Sequence, residues 1–214
     1  MHAKYIFYVF GILILTLGIS LTIQSNLGTS PFDALLVGLA KDIGLTVGSW
    51  EIIISSLLIG CDSLLKKDKP EILGLVTAFV TGVGIDIWLF LFHNTITPNV
   101  WFSQAICFGI GLIVIGLGTA MYLQTNFTPI PIDRLTLTIQ ELARTSLFFS
   151  RTFIYLVFLV LALALNGPIG IGTVLTVCFG GLILDWFMPL TKKLSNSFLA
   201  RSVTTSKCDK DNTI

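Results

Sequence analysis

Residues 24–35 and 124–135 carry one pattern twice. Gln24-Ser25-Asn26-Leu27-Gly28-Thr29-Ser30-Pro31-Phe32-Asp33-Ala34-Leu35 returns as Gln124-Thr125-Asn126-Phe127-Thr128-Pro129-Ile130-Pro131-Ile132-Asp133-Arg134-Leu135. Gln, Asn, Pro, Asp and the final Leu recur at an offset of 100. Upstream, Gly11, Leu17 and Gly18 answer Gly111, Leu117 and Gly118; downstream, after a one-residue slip, Gly82 and Asp86 answer Gly181 and Asp185. Only 12% of the chain is charged, about half the usual share of a soluble domain. A long duplication in so apolar a chain points to a membrane protein built from two like halves.

Segments near Tyr5–Ile23, Val47–Leu65, Ile72–Phe92, Val100–Leu123, Leu147–Leu165 and Gly170–Leu190 each approach the roughly 20 residues needed to cross a hydrocarbon core. Two further helical stretches, Pro31–Gly44 and Pro131–Arg144, are too short and too polar to cross. With the N-terminus and Lys4 in the cytoplasm, Lys66, Lys67, Lys69, Arg134, Arg144, Arg151, Lys192, Lys193 and Arg201 fall inside, and Lys41 is left outside. Letting the short helices cross would put the Lys66–Lys69 cluster outside, against the positive-inside rule. Trp50, Trp88 and Trp101 near outer ends, and Trp186 near an inner end, fit an interfacial belt. Three spans per half is an odd number, so the second half enters the membrane upside down.

The expected fold is therefore an all-α polytopic membrane protein of six transmembrane helices and two short re-entrant helices. It forms two inverted-topology repeats, about 1–95 and 98–190, in one membrane domain of residues 1–190. A polar cytoplasmic tail, 191–214, is expected to lack regular structure.

The repeated element supplies the candidate site. An extended Ser25–Ser30 can descend about 20 Å, and helix Pro31–Gly44 can rise about 21 Å back. Pro31 and Asp33 then reach the midplane from one side, and Pro131 and Asp133 from the other. Proline suits a first helical turn because its missing N–H would have no intrahelical partner there. Irregular backbone at such depth must be buried in protein or line a wet cavity. Ser30 and Asp33 form a capping-box pattern, so Asp33 and Asp133 read first as helix caps, and a cap can also line a site as a ligand for a cation, a proton or a polar solute.

Asp86 and Asp185 lie within spanning segments, where an ionisable residue is by default a functional candidate; the other reading is an interfacial carboxylate near a helix end. Asp33 with Asp86, and Asp133 with Asp185, are expected to pair. The halves differ where Ala34 faces Arg134 and Glu51 faces Arg151. Arg134 either neutralises Asp133 or forks to an anion, or else is a positive-inside charge. Glu51, near the outer interface, reads as solvated. Asn26 and Asn126, with Gln24 and Gln124, line a pore or simply form turns. Gly11 with Gly18, Gly109 with Gly116, and Gly111 with Gly118 are each seven apart and read as helix-packing faces.

Other classes recede. A net charge of +1 with scattered bases gives no case for nucleic acid. Cys61, Cys107, Cys178 and Cys208 have no metal-ligand spacing, His2 and His93 sit at segment ends, and no nucleophile–base pair appears. No metal, cofactor or enzymatic activity is expected. The lipid bilayer is the expected partner, and a six-span bundle is compatible with a homodimer.

The run Leu27-Gly28-Thr29-Ser30-Pro31-Phe32-Asp33-Ala34-Leu35, then Gly38-Leu39 and Gly44-Leu45-Thr46-Val47-Gly48-Ser49-Trp50, resembles the YczE/YyaS/YitT family of bacterial integral membrane proteins, YczE-type members in particular. That family's Leu-Gly-x-x-Pro/Ala-Trp-Asp element is matched with Phe32 in the Trp position, and its later Gly-rich segment by Gly82-Val83-Gly84-Ile85-Asp86. The likeness runs to about Leu190. It implies a bacterial cytoplasmic membrane location with no cofactor, and carries over no activity. The residues themselves favour a small transporter or channel for a polar solute or cation, sited between the two re-entrant helix starts. The alternative is a non-transporting accessory or regulatory protein acting through a protein partner.

Overall fold

The computed structural model describes residues 2–93, 95–96, 98–125 and 127–211, with side chains described over 4–146 and 149–194 within those spans. It is all-helical, with no strand among the described residues. Eight helices follow one another: α1 (His2–Gln24), α2 (Pro31–Asp42), α3 (Val47–Lys66), α4 (Ile72–Phe92), α5 (Trp101–Leu123), α6 (Pro131–Ala143), α7 (Leu147–Ala164) and α8 (Ile171–Asp211). Five of them, α1, α3, α4, α5 and α8, are long and apolar enough to cross a membrane. The sixth expected span is shorter: the apolar part of α7 is Phe149–Ala164. Its first turn carries Ser150 and Arg151, and Asn166-Gly167-Pro168 ends it early. The segment 191–211, expected to lack regular structure, continues α8, where residues such as Lys192, Lys193, Leu194 and Ala200 are good helix formers.

Glycine joins the halves. A Cβ on Gly18 would lie 2.6 Å from the Ile115 nitrogen and 2.8 Å from the Gly111 carbonyl. One on Gly118 would strike the backbone of Leu15 and lie 2.8 Å from the Gly11 carbonyl. Residue 11 thus meets 118 and residue 18 meets 111, so α1 and α5 run antiparallel with their backbones in near contact. No side chain other than hydrogen fits at either crossing, which is why the same glycines recur in both halves. Gly109 does not share this role: a Cβ there meets nothing within 4 Å.

Around that pair the partners repeat. α4 packs on α1 and α8 on α5; α7 packs on α2 and α3 on α6. α2 is buried almost all round, from Pro31 to Leu39. Its Gly38 lies against the Leu165 carbonyl and the Gly167 backbone, and the Leu27 carbonyl accepts from the Gly172 N–H at 2.8 Å. The α7–α8 turn therefore clasps α2 and the loop before it.

One seam is not repeated. α3 and α4 touch through Gly48 and Gly82, where a Cβ on Gly82 would lie 2.5 Å from the Gly48 carbonyl. The Asp86 carboxylate completes that seam, its Oδ1 accepting from the Gly48 N–H at 2.8 Å and its Oδ2 from the Thr46 hydroxyl at 2.6 Å. In the second half Phe148 stands at the position answering Gly48. Among the described residues α7 and α8 lack the close packing of α3 and α4, and a Cβ on Gly181 would meet open space.

Gly48→Ala is expected to destabilise by about 2–3 kcal/mol through overpacking against the Gly82 carbonyl. Gly109→Ala should leave stability unchanged or raise it by about 0.5–1 kcal/mol, since only helix propensity changes. Thermal unfolding of the two variants in detergent, beside wild type, measures the contrast.

Candidate functional site

The two short helices begin in different ways. α2 is capped by Ser30, whose Oγ accepts from the Asp33 N–H at 3.1 Å while its hydroxyl donates to Asp33 Oδ2 at 2.6 Å. That is a reciprocal cap built from a buried carboxylate, Asp33 being 6% exposed. α6 has Ile130 at the corresponding position and no side-chain cap. Asp133 there accepts instead from the Tyr122 hydroxyl of α5, at 2.6 Å on Oδ2. One aspartate is tied to its own helix, and the other to a neighbour.

Both line a single cavity of ≈ 100 Å³ at the centre of the bundle. Its wall is made of positions that answer one another in the sequence repeat. Leu15 faces it with Ile115, Ile19 with Thr119, Phe32 with Ile132, Asp33 with Asp133, and Glu51 with Arg151. Two hollows meet it at Arg151: one of ≈ 380 Å³ bordered by Asp133, Thr136 and Phe127, and one of ≈ 180 Å³ bordered by Asp185, Tyr155 and Thr176. The second lies along the loosely packed seam of α7 and α8.

Glu51 is a correction to the expectation of a solvated residue: it is 2% exposed. The close approach of Gly48 to Gly82 draws the first turn of α3 into the bundle, and Glu51 follows one turn later on the inner side. Its Oε1 accepts from the Ser55 hydroxyl at 3.2 Å. Arg151, expected among the cytoplasmic bases, lies at the start of α7 on the cavity wall. Its Nη2 and Nε donate to the Tyr155 hydroxyl at 3.0 and 3.3 Å, and its guanidinium carbon stands 5.3 Å from the Tyr155 ring centre. The signal for both was present in the repeat, where opposite charges occupy positions 51 and 151.

The remaining candidates fall elsewhere. Arg134 neither neutralises Asp133 nor faces the cavity. Its Nε lies 2.9 Å from Asp62 Oδ2, and its Nη1 pairs with Glu71, while the Thr138 hydroxyl donates to Asp62. This network ties α6 to α3 and to the start of α4, because α6 presents Arg134 on the side away from the cavity. Asp86 does not pair with Asp33, since it caps α3. Asp185 is exposed and borders the α7–α8 hollow rather than Asp133. Asn26 is exposed and takes a left-handed turn at φ 57°, a conformation asparagine tolerates, so it acts as a turn residue. Asn126 lies outside the described residues. Pro31 and Pro131 each occupy a first helical turn, as their fixed φ favours. No group of three or more potential metal ligands occurs among the described residues.

With Asp62 largely buried, Arg134→Gln leaves a carboxylate without its cation and is expected to cost about 3 kcal/mol or more. The double variant Asp62→Asn/Arg134→Gln should recover part of that loss. A double-mutant cycle on unfolding midpoints checks both.

Residues 2–189 match the model of a family of unknown function, DUF6198. The chain is 63% identical over 190 residues to the uncharacterized protein YyaS of Bacillus subtilis (strain 168), covering 89% of this chain and 94% of that one. It is 36% identical over 207 residues to the uncharacterized membrane protein YczE of the same organism, covering 95% and 94%. A third relative, an uncharacterized protein of Haemophilus influenzae, is 31% identical over 188 residues, covering 86% and 83%. No solved structure matches the chain. The membrane-protein relative and the five long apolar helices agree on a multi-pass membrane location.

Proposed function

This chain belongs to the YczE/YyaS family, and we propose that it is a small transporter for a polar solute or cation, bound in the cavity between the starts of α2 and α6. In this reading six helices span the bilayer of the bacterial cell membrane, α7 being the short one, and α2 and α6 are re-entrant. The two halves are inverted repeats, with both termini in the cytoplasm. Support for the inversion comes from the antiparallel crossing of the answering helices α1 and α5.

One observation carries the proposal. Asp33, Glu51, Asp133 and Arg151 face one central cavity between apolar helices. Ionisable groups at such depth are costly, and a purely structural bundle has no need of four around a void. Their place on answering positions of two antiparallel halves also suits a site reachable from either face in turn. No coupling ion is assigned, since the acids suit a proton and a cation equally.

Thermal unfolding of the detergent-purified protein against Na⁺, K⁺, several pH values and a panel of polar metabolites tests the reading. A true ligand at about 100 times its Kd stabilises by about 2.7 kcal/mol. That rise should appear in wild type and be lost in Asp33→Asn and Asp133→Asn variants that remain folded. Uptake of the same solute into proteoliposomes should follow the same pattern. If no solute or ion shifts wild type and the aspartate variants merely unfold early, the carboxylates are caps. An accessory protein acting through a partner would then be the better reading.

A further inference from the structure

Resting on the transporter reading of this cavity, we infer that its solute is a small zwitterion, with an ammonium group held by Glu51 and Asp33 and a carboxylate held by Arg151. Three features carry the inference.

First, Glu51 is buried yet incompletely satisfied. Its Oε1 takes the Ser55 hydroxyl, and Oε2 has no donor among the described residues. Among the described residues no fully buried side-chain oxygen or nitrogen lacks a partner, so the free oxygen is not sealed in the protein. Because the residue is 2% exposed and lines the cavity, the surface left to that oxygen is cavity surface. Asp33 lines the same cavity. Two largely buried carboxyls on one cavity, neither in an ion pair among the described residues, favour a donor that brings positive charge.

Second, Arg151 is poised without an anion. Tyr155 holds its Nε and Nη2 through one hydroxyl, with the guanidinium carbon 5.3 Å from the ring centre. Among the described residues it forms no ion pair, and its Nη1 makes no hydrogen bond. A guanidinium offers a fork of donors matched to a carboxylate. Asp133 lines the same cavity but forms no ion pair with it, accepting instead from the Tyr122 hydroxyl.

Third, opposite charges face one cavity and do not meet. Glu51 and Arg151 line the same void, yet no salt bridge joins them. A lone anion would meet repulsion from the three acids, at the low dielectric where such terms are large, and a lone cation would leave the Arg151 guanidinium without an anion. A molecule with both charges separated by a few bonds satisfies each wall. The space beside these groups, ≈ 100 Å³, admits a small molecule, and the hollows that join it at Arg151 extend it.

Alanine, alanine methyl ester, N-acetylalanine, propionate and propylamine are compared for their effect on the unfolding midpoint of wild type. Reconstituted protein is then tested for uptake of labelled alanine. Alanine should stabilise, while the ester and the acetyl derivative bind at least about tenfold more weakly because each leaves one wall unpaired. Glu51→Gln should lose discrimination against N-acetylalanine, and Arg151→Gln against the ester. The double swap Glu51→Arg/Arg151→Glu should restore a preference for the zwitterion in the reversed orientation. Should the ester, propylamine or an inorganic cation bind as tightly as alanine, the site is a cation site. The zwitterion inference then fails while the transporter reading stands. If neither these solutes nor the wider panel shifts the midpoint, both fall together.

Discussion

The backbone contact of α1 with α5 sets the rest of the molecule. At Gly11, Gly18, Gly111 and Gly118 the two helices approach until only hydrogen fits between them. Lipid provides no hydrophobic drive for helix association, so close packing of this kind is among the few forces that can hold such a pair together. Each helix runs directly into the loop that begins a short helix, α2 or α6. Their antiparallel crossing therefore fixes where Asp33 and Asp133 stand. The cavity is what remains between helix starts that the glycine crossing brings near but does not bring together.

Polar chemistry inside this bundle is settled locally in most places. Hydroxyls of Thr22, Ser25, Thr81, Thr125 and Thr191 donate to helix carbonyls three or four residues back along the chain. Asp62 is answered by Arg134, and Asp86 by the start of α3. Against that background of satisfied groups, Glu51 and Arg151 stand out as charges that reach a void and stop short of each other.

Much of the architecture was legible in the chain itself, and the reasons differ by residue. Pro31 and Pro131 marked both short helix starts because proline has few other places in a helix. The repeated glycines at 11, 18, 111 and 118 announced the crossing, because a packing face needs small residues at helical spacing. Gly109 shared the spacing without the role, since periodicity names a face and not what lies opposite it. The site was half legible. Asp33 and Asp133 were found through the repeat, whereas Glu51 was misplaced because its distance from the interface was judged along the helix. The Gly48–Gly82 contact that tilts that turn inward is a tertiary fact. Arg134 misled for the complementary reason: adjacency to Asp133 in sequence puts it about 100° round the helix, toward Asp62.

The charge difference between positions 51 and 151 has a consequence for how such a protein can be assembled. Two copies of a half-length chain, related by a true two-fold axis, must place the same residue at both positions. Their centre would hold two carboxylates or two guanidiniums, and no field could point across it. Joining the halves in one polypeptide lifts that restriction, since each position then varies alone. The centre of this chain is asymmetric, with Glu51 presented from α3 and Arg151 from α7. Under the proposed reading, a solute bound there is oriented as well as held.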